Sequence, residues 1–146
     1  NYRNLLRRYI RDYGENEDIN RAVQVLERAK RDVLKAQDKT ELIGYEGMAS
    51  NAYFEVLPIL ILNQKTDFPF HGRNRRPPKD AVNAMLSFAY TLIANDVAAA
   101  LETVGLDPYV GFLHTLRPGR TSLALDMMEE LRAYLGDRFI LSLIKI

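Results

Sequence analysis

Along most of this 146-residue chain the apolar residues recur three and four positions apart. That is the period of an α-helix with one buried face. It argues against a sheet, whose buried residues alternate. Ile19, Val23, Leu26, Ala29 and Val33 make one such stripe, following a break at Gly14 and with Asp18 as its expected cap. Leu42, Glu46, Ala49, Tyr53, Val56 and Leu60 make a second, opened by Asp38 or Thr40. Val82, Leu86, Ala89, Ile93, Ala100 and Val104 make a third, capped by Asp80. Leu106-Asp107-Pro108 opens a short helix with Pro in its first turn, and Thr121 or Ser122 opens a helix over 123–135 that Gly136 ends. Asn1 to Tyr13 reads as a short helix or a remnant of one, joining on to something outside the domain. The expected fold is all-α: one domain over residues 1–146, of about five to seven packed helices.

Composition narrows the function classes. The chain is 47% hydrophobic and 27% charged, the balance of an ordinary soluble globule with one core. It has no cysteine, which removes disulfides, thiolate nucleophiles and cysteine zinc sites and fits an intracellular setting. No unbroken apolar run reaches the roughly 18 residues that span a bilayer, so no membrane partner is expected. The longest run, around Val56 to Leu62, contains Pro58. The chain starts at Asn1 without an initiator Met or targeting signal. It ends at Ile146 inside the apolar run RFILSLIKI, and so reads as a fragment of a longer protein.

A formal charge of +1 names no partner, but its distribution does more. The segment FPFHGRNRRPPK, residues 68–79, carries Arg73, Arg75, Arg76 and Lys79 with no acid among them. Pro69, Pro77 and Pro78 stiffen it, and Phe68 and Phe70 can anchor it to a core. A rigid basic loop of this kind suits phosphate contact. Arg117 and Arg120 flank a second tight turn at Pro118-Gly119.

Three stretches carry chemistry. Glu46 interrupts an apolar stripe, so its carboxylate needs a partner, either an arginine or a metal. Gly44, Gly47, Ala49, Ser50 and Ala52 crowd the same turns, as if another backbone came close. His114 follows Phe112 and Leu113, as a core histidine or as a ligand. Asp126 stands three residues before Glu129 and four before Glu130, on one side of a helix. Such spacing favours a bound cation, or simply a helix start. Asn83, Ser87 and Tyr90 share a polar face, as supporting or surface groups. Two glutamates and one imidazole suit Mg²⁺ or Mn²⁺ better than Zn²⁺. With arginines around them they suit a phosphodiester substrate.

The runs IGYEGMASNAYF, FHGRNRRPPKDAVNAMLSFAY, GLDPYVGFLH and RPGRTSLALDMMEELR occur in this order and cover most of residues 40–140. Together they resemble the C-terminal helical domain of CRISPR-associated protein one, the spacer-acquisition integrase. The resemblance implies a prokaryotic, cytoplasmic protein with a divalent-metal site, Mg²⁺ or Mn²⁺, held by Glu46, His114 and Glu129. Asp126 is implied as an accessory acid. Arg73, Arg75, Arg76, Lys79, Arg117 and Arg120 are implied to hold DNA. The implied reaction joins the 3′-OH ends of captured DNA to a CRISPR repeat by metal-assisted transesterification, and family members also cut branched DNA. Implied partners are prespacer and repeat DNA, a second copy in the full-length homodimer, and CRISPR-associated protein two. The N-terminal β domain of the family has no counterpart among these residues. The competing reading is a non-catalytic helical scaffold that binds nucleic acid and uses its acids in structural salt bridges.

Overall fold

A computed structural model describes residues 1–145; the final residue of the RFILSLIKI run, Ile146, lies outside them. The described residues form six α-helices and no strand, as the three-four spacing predicts. They are α1 (Tyr2–Tyr13), α2 (Glu17–Asp32), α3 (Lys39–Leu60), α4 (Ala81–Thr103), α5 (Ser122–Leu131) and α6 (Arg138–Ile144). A 3₁₀ turn, Val33–Lys35, follows α2, and a π-helical turn, Arg132–Asp137, joins α5 to α6.

The helix starts follow local chemistry. Asp38 accepts from the Glu41 N–H at 2.8 Å and Asp80 from the Asn83 N–H at 2.7 Å, the expected caps of α3 and α4. At α2 the cap is Asn16 rather than Asp18: its side chain accepts from the Ile19 N–H at 3.1 Å. Asp18 falls inside the first turn with Glu17, where both acids meet the positive end of the helix dipole.

Packing departs from the stripes in instructive places. Ile19, Val23, Leu26 and Ala29 are buried as expected. On α3 only the C-terminal half, Tyr53, Phe54, Val56, Leu57 and Leu60, enters the core. Leu42 and Ala49 are half-buried and Glu46 is exposed, so its carboxylate does not point inward. Gly44 and Gly47 face open space, not a closely approaching backbone. On α4, Val82, Leu86 and Ala89 are buried, whereas Ala100 and Val104 are exposed. An 18-residue window of α4 has a mean hydropathy of 1.4, long and apolar enough for a membrane span by length and composition alone, a test that core helices of soluble proteins also pass. Scattered Asn, Ser and Thr hide that property from a search for unbroken runs. In the fold its first half carries core residues.

Gly136 does not end a helix. The chain passes through it in the π-helical turn, and a Cβ there would lie 2.9 Å from the Tyr90 ring. Glycine lets that ring rest on the backbone. Around Tyr90 the core turns polar. Its hydroxyl donates to Oδ1 of the fully buried Asp137, while the guanidinium carbons of Arg132 and Arg73 lie 4.7 and 5.3 Å from its ring centre. Tyr2 stacks on Tyr53 beside them, ring centres 4.0 Å apart.

Burial pushes the Asp137 carboxyl up from 3.8 to about 6, against the Tyr90 hydrogen bond, the neighbouring Tyr53 hydroxyl and the charges of Arg132 and Arg73. The folded state then binds this proton more tightly than the unfolded chain. Its contribution to stability is fully present below pH 3.8 and is lost as pH rises through about 6. Denaturant unfolding measured across that window should show stability falling with pH by up to about 1.4 kcal/mol per unit from this group. In Asp137→Asn that component should vanish; an unchanged pH profile contradicts the assignment.

Candidate functional site

The loop of residues 107–115 lies across the N-terminal end of α5. It is not the short helix its Leu-Asp-Pro start suggests. The Pro108 carbonyl accepts from the Leu123 and Ala124 N–H groups at 2.9 and 3.4 Å, serving first-turn donors that the Thr121 side chain does not reach. Ser122 donates its hydroxyl to the Thr115 carbonyl at 3.2 Å.

Asp126, one turn on, gathers the rest of the loop. Its Oδ2 accepts from the Phe112 and Leu113 N–H groups at 2.7 and 2.9 Å. Its Oδ1 accepts from the His114 N–H at 2.8 Å and lies 2.6 Å from His114 Nδ1. These bonds take N–H groups that a helix over 108–114 would have used, which explains why none forms. Burial alone would push the Asp126 pKa up. The Leu113 N–H, the His114 ring and the His114 and Phe112 N–H groups outweigh it and hold the carboxyl below its ordinary range. An ionised Asp126 engages Nδ1 and fixes the orientation of the ring, which leaves Nε2 as the ring nitrogen outside the clamp. Asp126 is thus committed to the loop and to His114. The approach requires Gly111: a Cβ there would sit 2.7 Å from Ser122 Cβ and 2.8 Å from Asp126 Oδ2.

Glu129 is one turn beyond Asp126, half-buried, and paired with the buried Arg132. Its pKa is raised, first by burial; Arg132 pulls it down, Glu46 pushes it up, and His114 and Arg75 pull it down. Glu129 therefore lies within electrostatic reach of both Glu46 and His114. The three do not converge on a single point: among the described residues no three His, Asp or Glu side chains are gathered closely enough for one ion. Glu46 lines a cleft of about 480 Å³ with Tyr45, Ala49 and Leu113. Glu129 lines another of about 490 Å³ with Glu130 and Ala133, and Asn1 and Tyr2 border both. The expectation that all three already lie within reach of one ion is not met. Nor does Glu46 form the alternative ion pair with an arginine among the described residues. The donor chemistry nonetheless fits a hard divalent ion: two carboxylates, one of them destabilised by the other's charge, and an imidazole oriented from behind.

The basic loop divides. Arg75, Arg76 and Lys79 are exposed, as is Arg117; Arg120 is half-buried. Arg73 turns inward instead. It donates to Asn83 Oδ1 at 2.8 Å, to the Asn74 carbonyl at 2.7 Å and to Ser87 Oγ at 3.1 Å. Asn83, fully buried, also accepts from the Asn74 N–H at 3.0 Å and donates to the Gly72 carbonyl at 2.9 Å and Asp80 Oδ2 at 2.7 Å. Asn83 and Ser87 thus act as supporting groups, holding the loop through Arg73. Arg132, Asp137 and Gly111 escaped the sequence reading. The one signal for Arg132 was its position three residues after Glu129.

Asp126→Asn keeps one acceptor oxygen where the carboxylate uses two for four donors. Each stranded donor costs on the order of 1–3 kcal/mol. Hydrogen exchange should show at least one of the Leu113 and His114 amides losing protection while α2 keeps its own. Unchanged protection of those two amides would contradict the clamp.

The family described as CRISPR associated protein Cas1 matches residues 1–146. The CRISPR-associated endonuclease Cas1 1 of Chlorobaculum tepidum is 50% identical over 147 residues, covering 99% of this chain and 43% of that protein. The chain spans about half the length of the curated relatives it matches. A solved Cas6-RT-Cas1–Cas2 complex superposes with a TM-score of 0.84 at 26% identity, over 99% of this chain and 15% of that one. A casposase bound to its integration product superposes with a TM-score of 0.78 at 27% identity, over 99% and 41%. With motifs, helical fold and whole-chain match in agreement, this chain belongs to the Cas1 family.

Proposed function

We infer that this chain is the catalytic part of a DNA integrase and endonuclease of CRISPR adaptation, using Glu46, His114 and Glu129 to hold a Mg²⁺ or Mn²⁺ ion. The observation that carries the reading is the clamped imidazole: Asp126 holds His114 Nδ1 at 2.6 Å, beside a Glu129 whose acidity responds to both His114 and Glu46. That is how a metal-binding histidine is usually supported. Casposase similarity favours integration, a phosphodiester transesterification with a 3′-OH as attacking group. When bound, the ion supplies Lewis-acid stabilisation of charge growing at the phosphate. His114 offers Nε2, on a ring oriented by Asp126. Glu46 and Glu129 offer oxygens from helices α3 and α5. Arg75, Arg76 and Lys79 hold the phosphate backbone on a loop that Asn83 and Arg73 make rigid. Arg75 lies near enough to Glu129 to lower its pKa, so backbone and reacting phosphate share one field. Prespacer and repeat DNA, a second copy of the full-length protein and a Cas2-type partner complete the proposed assembly.

One observation favours the scaffold reading: Glu129 is already in an ion pair with Arg132. Manganese separates the two. An integrase site should raise the melting temperature as Mn²⁺ is added, and Glu129→Ala should lose that shift. A scaffold should melt unchanged. Glu46→Ala, His114→Ala or Glu129→Ala should each lower cleavage and integration by at least about a hundredfold while DNA affinity in gel-shift assays is largely kept. Substantial activity in any one of them removes that residue from the site.

Arg75→Ala with Arg76→Ala should weaken all DNA sequences alike. The slope of log affinity against log salt should flatten by about one per lost phosphate contact. A double variant with unchanged affinity and slope would take this loop out of the DNA face.

A further inference from the structure

The turn that joins α5 to α6 brings two buried charges into one core. In an α-helix, at 3.6 residues per turn, residues five apart face about 140° away from each other. The π-helical turn Arg132–Asp137 widens the spiral so that residues five apart come nearly into line, a geometry that recurs at functional sites. Arg132 is 5% exposed and Asp137 0%.

Neither is satisfied. Arg132 pairs with Glu129 through Nη2, but its Nε and Nη1 are buried without partners. Asp137 takes the Tyr90 hydroxyl on Oδ1, but its Oδ2 is buried without one. Idle donors and an idle acceptor of opposite charge in one polar core are costly to leave apart. The Tyr90 ring lies under the Arg132 guanidinium, 4.7 Å from its centre. That flat, electron-rich surface lets the guanidinium turn without losing its cation–π contact. Glu129, meanwhile, is wanted by two cations: Arg132 and the ion of the proposed site.

We propose that Arg132 is a two-position counter-cation, holding Glu129 while the site is without its divalent ion and turning to Asp137 Oδ2 when Glu129 becomes a ligand. Arg132 is a positioning residue in this scheme; it touches no substrate. Asp137 is its second seat. The exchange gives the Arg132 guanidinium an anionic partner in both states, so loading the ion does not strand it in the core. The inference rests on the metal reading of Glu46, His114 and Glu129.

The test is calorimetric titration of the purified protein with Mn²⁺, wild type against Asp137→Asn. The amide keeps an acceptor for Tyr90 but no negative seat for Arg132. Mn²⁺ should bind Asp137→Asn about tenfold more weakly, the scale set by outer-shell partners of metal ligands. Equal affinity overturns the proposal. A wild type that binds no Mn²⁺ sinks the metal reading itself, a different failure. A crystal structure of the wild type grown with Mn²⁺ decides independently, and decides alone if Asp137→Asn does not fold. A guanidinium nitrogen of Arg132 is expected within hydrogen-bond distance of Asp137 and released from Glu129. Arg132 still on Glu129, with water filling the gap to Asp137, overturns it.

Discussion

Three parts of the molecule meet on the Tyr90 ring. Arg73 approaches it from the basic loop, Arg132 from the end of α5, and Gly136 from the π-helical turn. Its hydroxyl is tied to Asp137 in the same turn. A Tyr carries enough apolar area to belong in a core and one polar atom that must find a partner there. Each neighbour answers one of those needs. Without the ring, two guanidiniums and a carboxylate would face each other with no surface to organise them. The basic loop would also lose the ring it shares with Arg132.

The same helix turns two acids to opposite uses. Asp126 and Glu129 lie three residues apart, yet one is held below its ordinary pKa and the other above. Burial acts upward on both. At Asp126 three backbone N–H groups and an imidazole overcome it; at Glu129 the charge of Glu46 adds to it and Arg132 only offsets part. Environments that push paired carboxyls apart are how a site divides its roles. Here the ionised acid builds the loop and fixes the imidazole. The less stable one is left open to exchange partners, as its proposed role as a metal ligand requires.

Much of the fold was legible because helices are written locally. The caps at Asp38 and Asp80, the break at Gly14 and the stripes of α2 and α4's first half depend on residues within a few positions of one another. The acids and the histidine were legible as chemistry, and their order along the chain carried the family resemblance. Stripes failed where a helix outruns its partner. Glu46 sits on a stripe position of α3, but that half of the helix is only partly covered, with Leu42 and Ala49 half-buried and Glu46 exposed. Arg73 failed for the converse reason. In sequence it is one more arginine of a basic run; in the fold a buried Asn83 nine to eleven residues from its partners curls the loop and draws it inward.

What the sequence determined by itself, then, is the period, the caps, the order of the reactive residues and the cluster of positive charge. Each is a property of neighbours in the chain. Tertiary structure decided which charges are spent on one another. Asp126 reaches back twelve to fourteen residues to the 112–114 loop, and Asp137 across forty-seven to Tyr90. The π-helical turn that sets Arg132 beside Asp137 has no mark in the residues that form it. It exists because α5 and α6 must both lie against α4 while Gly136 passes under the Tyr90 ring. Hydrogen bonds between distant residues form only once packing has excluded water from around them. Their energy depends on that exclusion, so no local pattern foretells them.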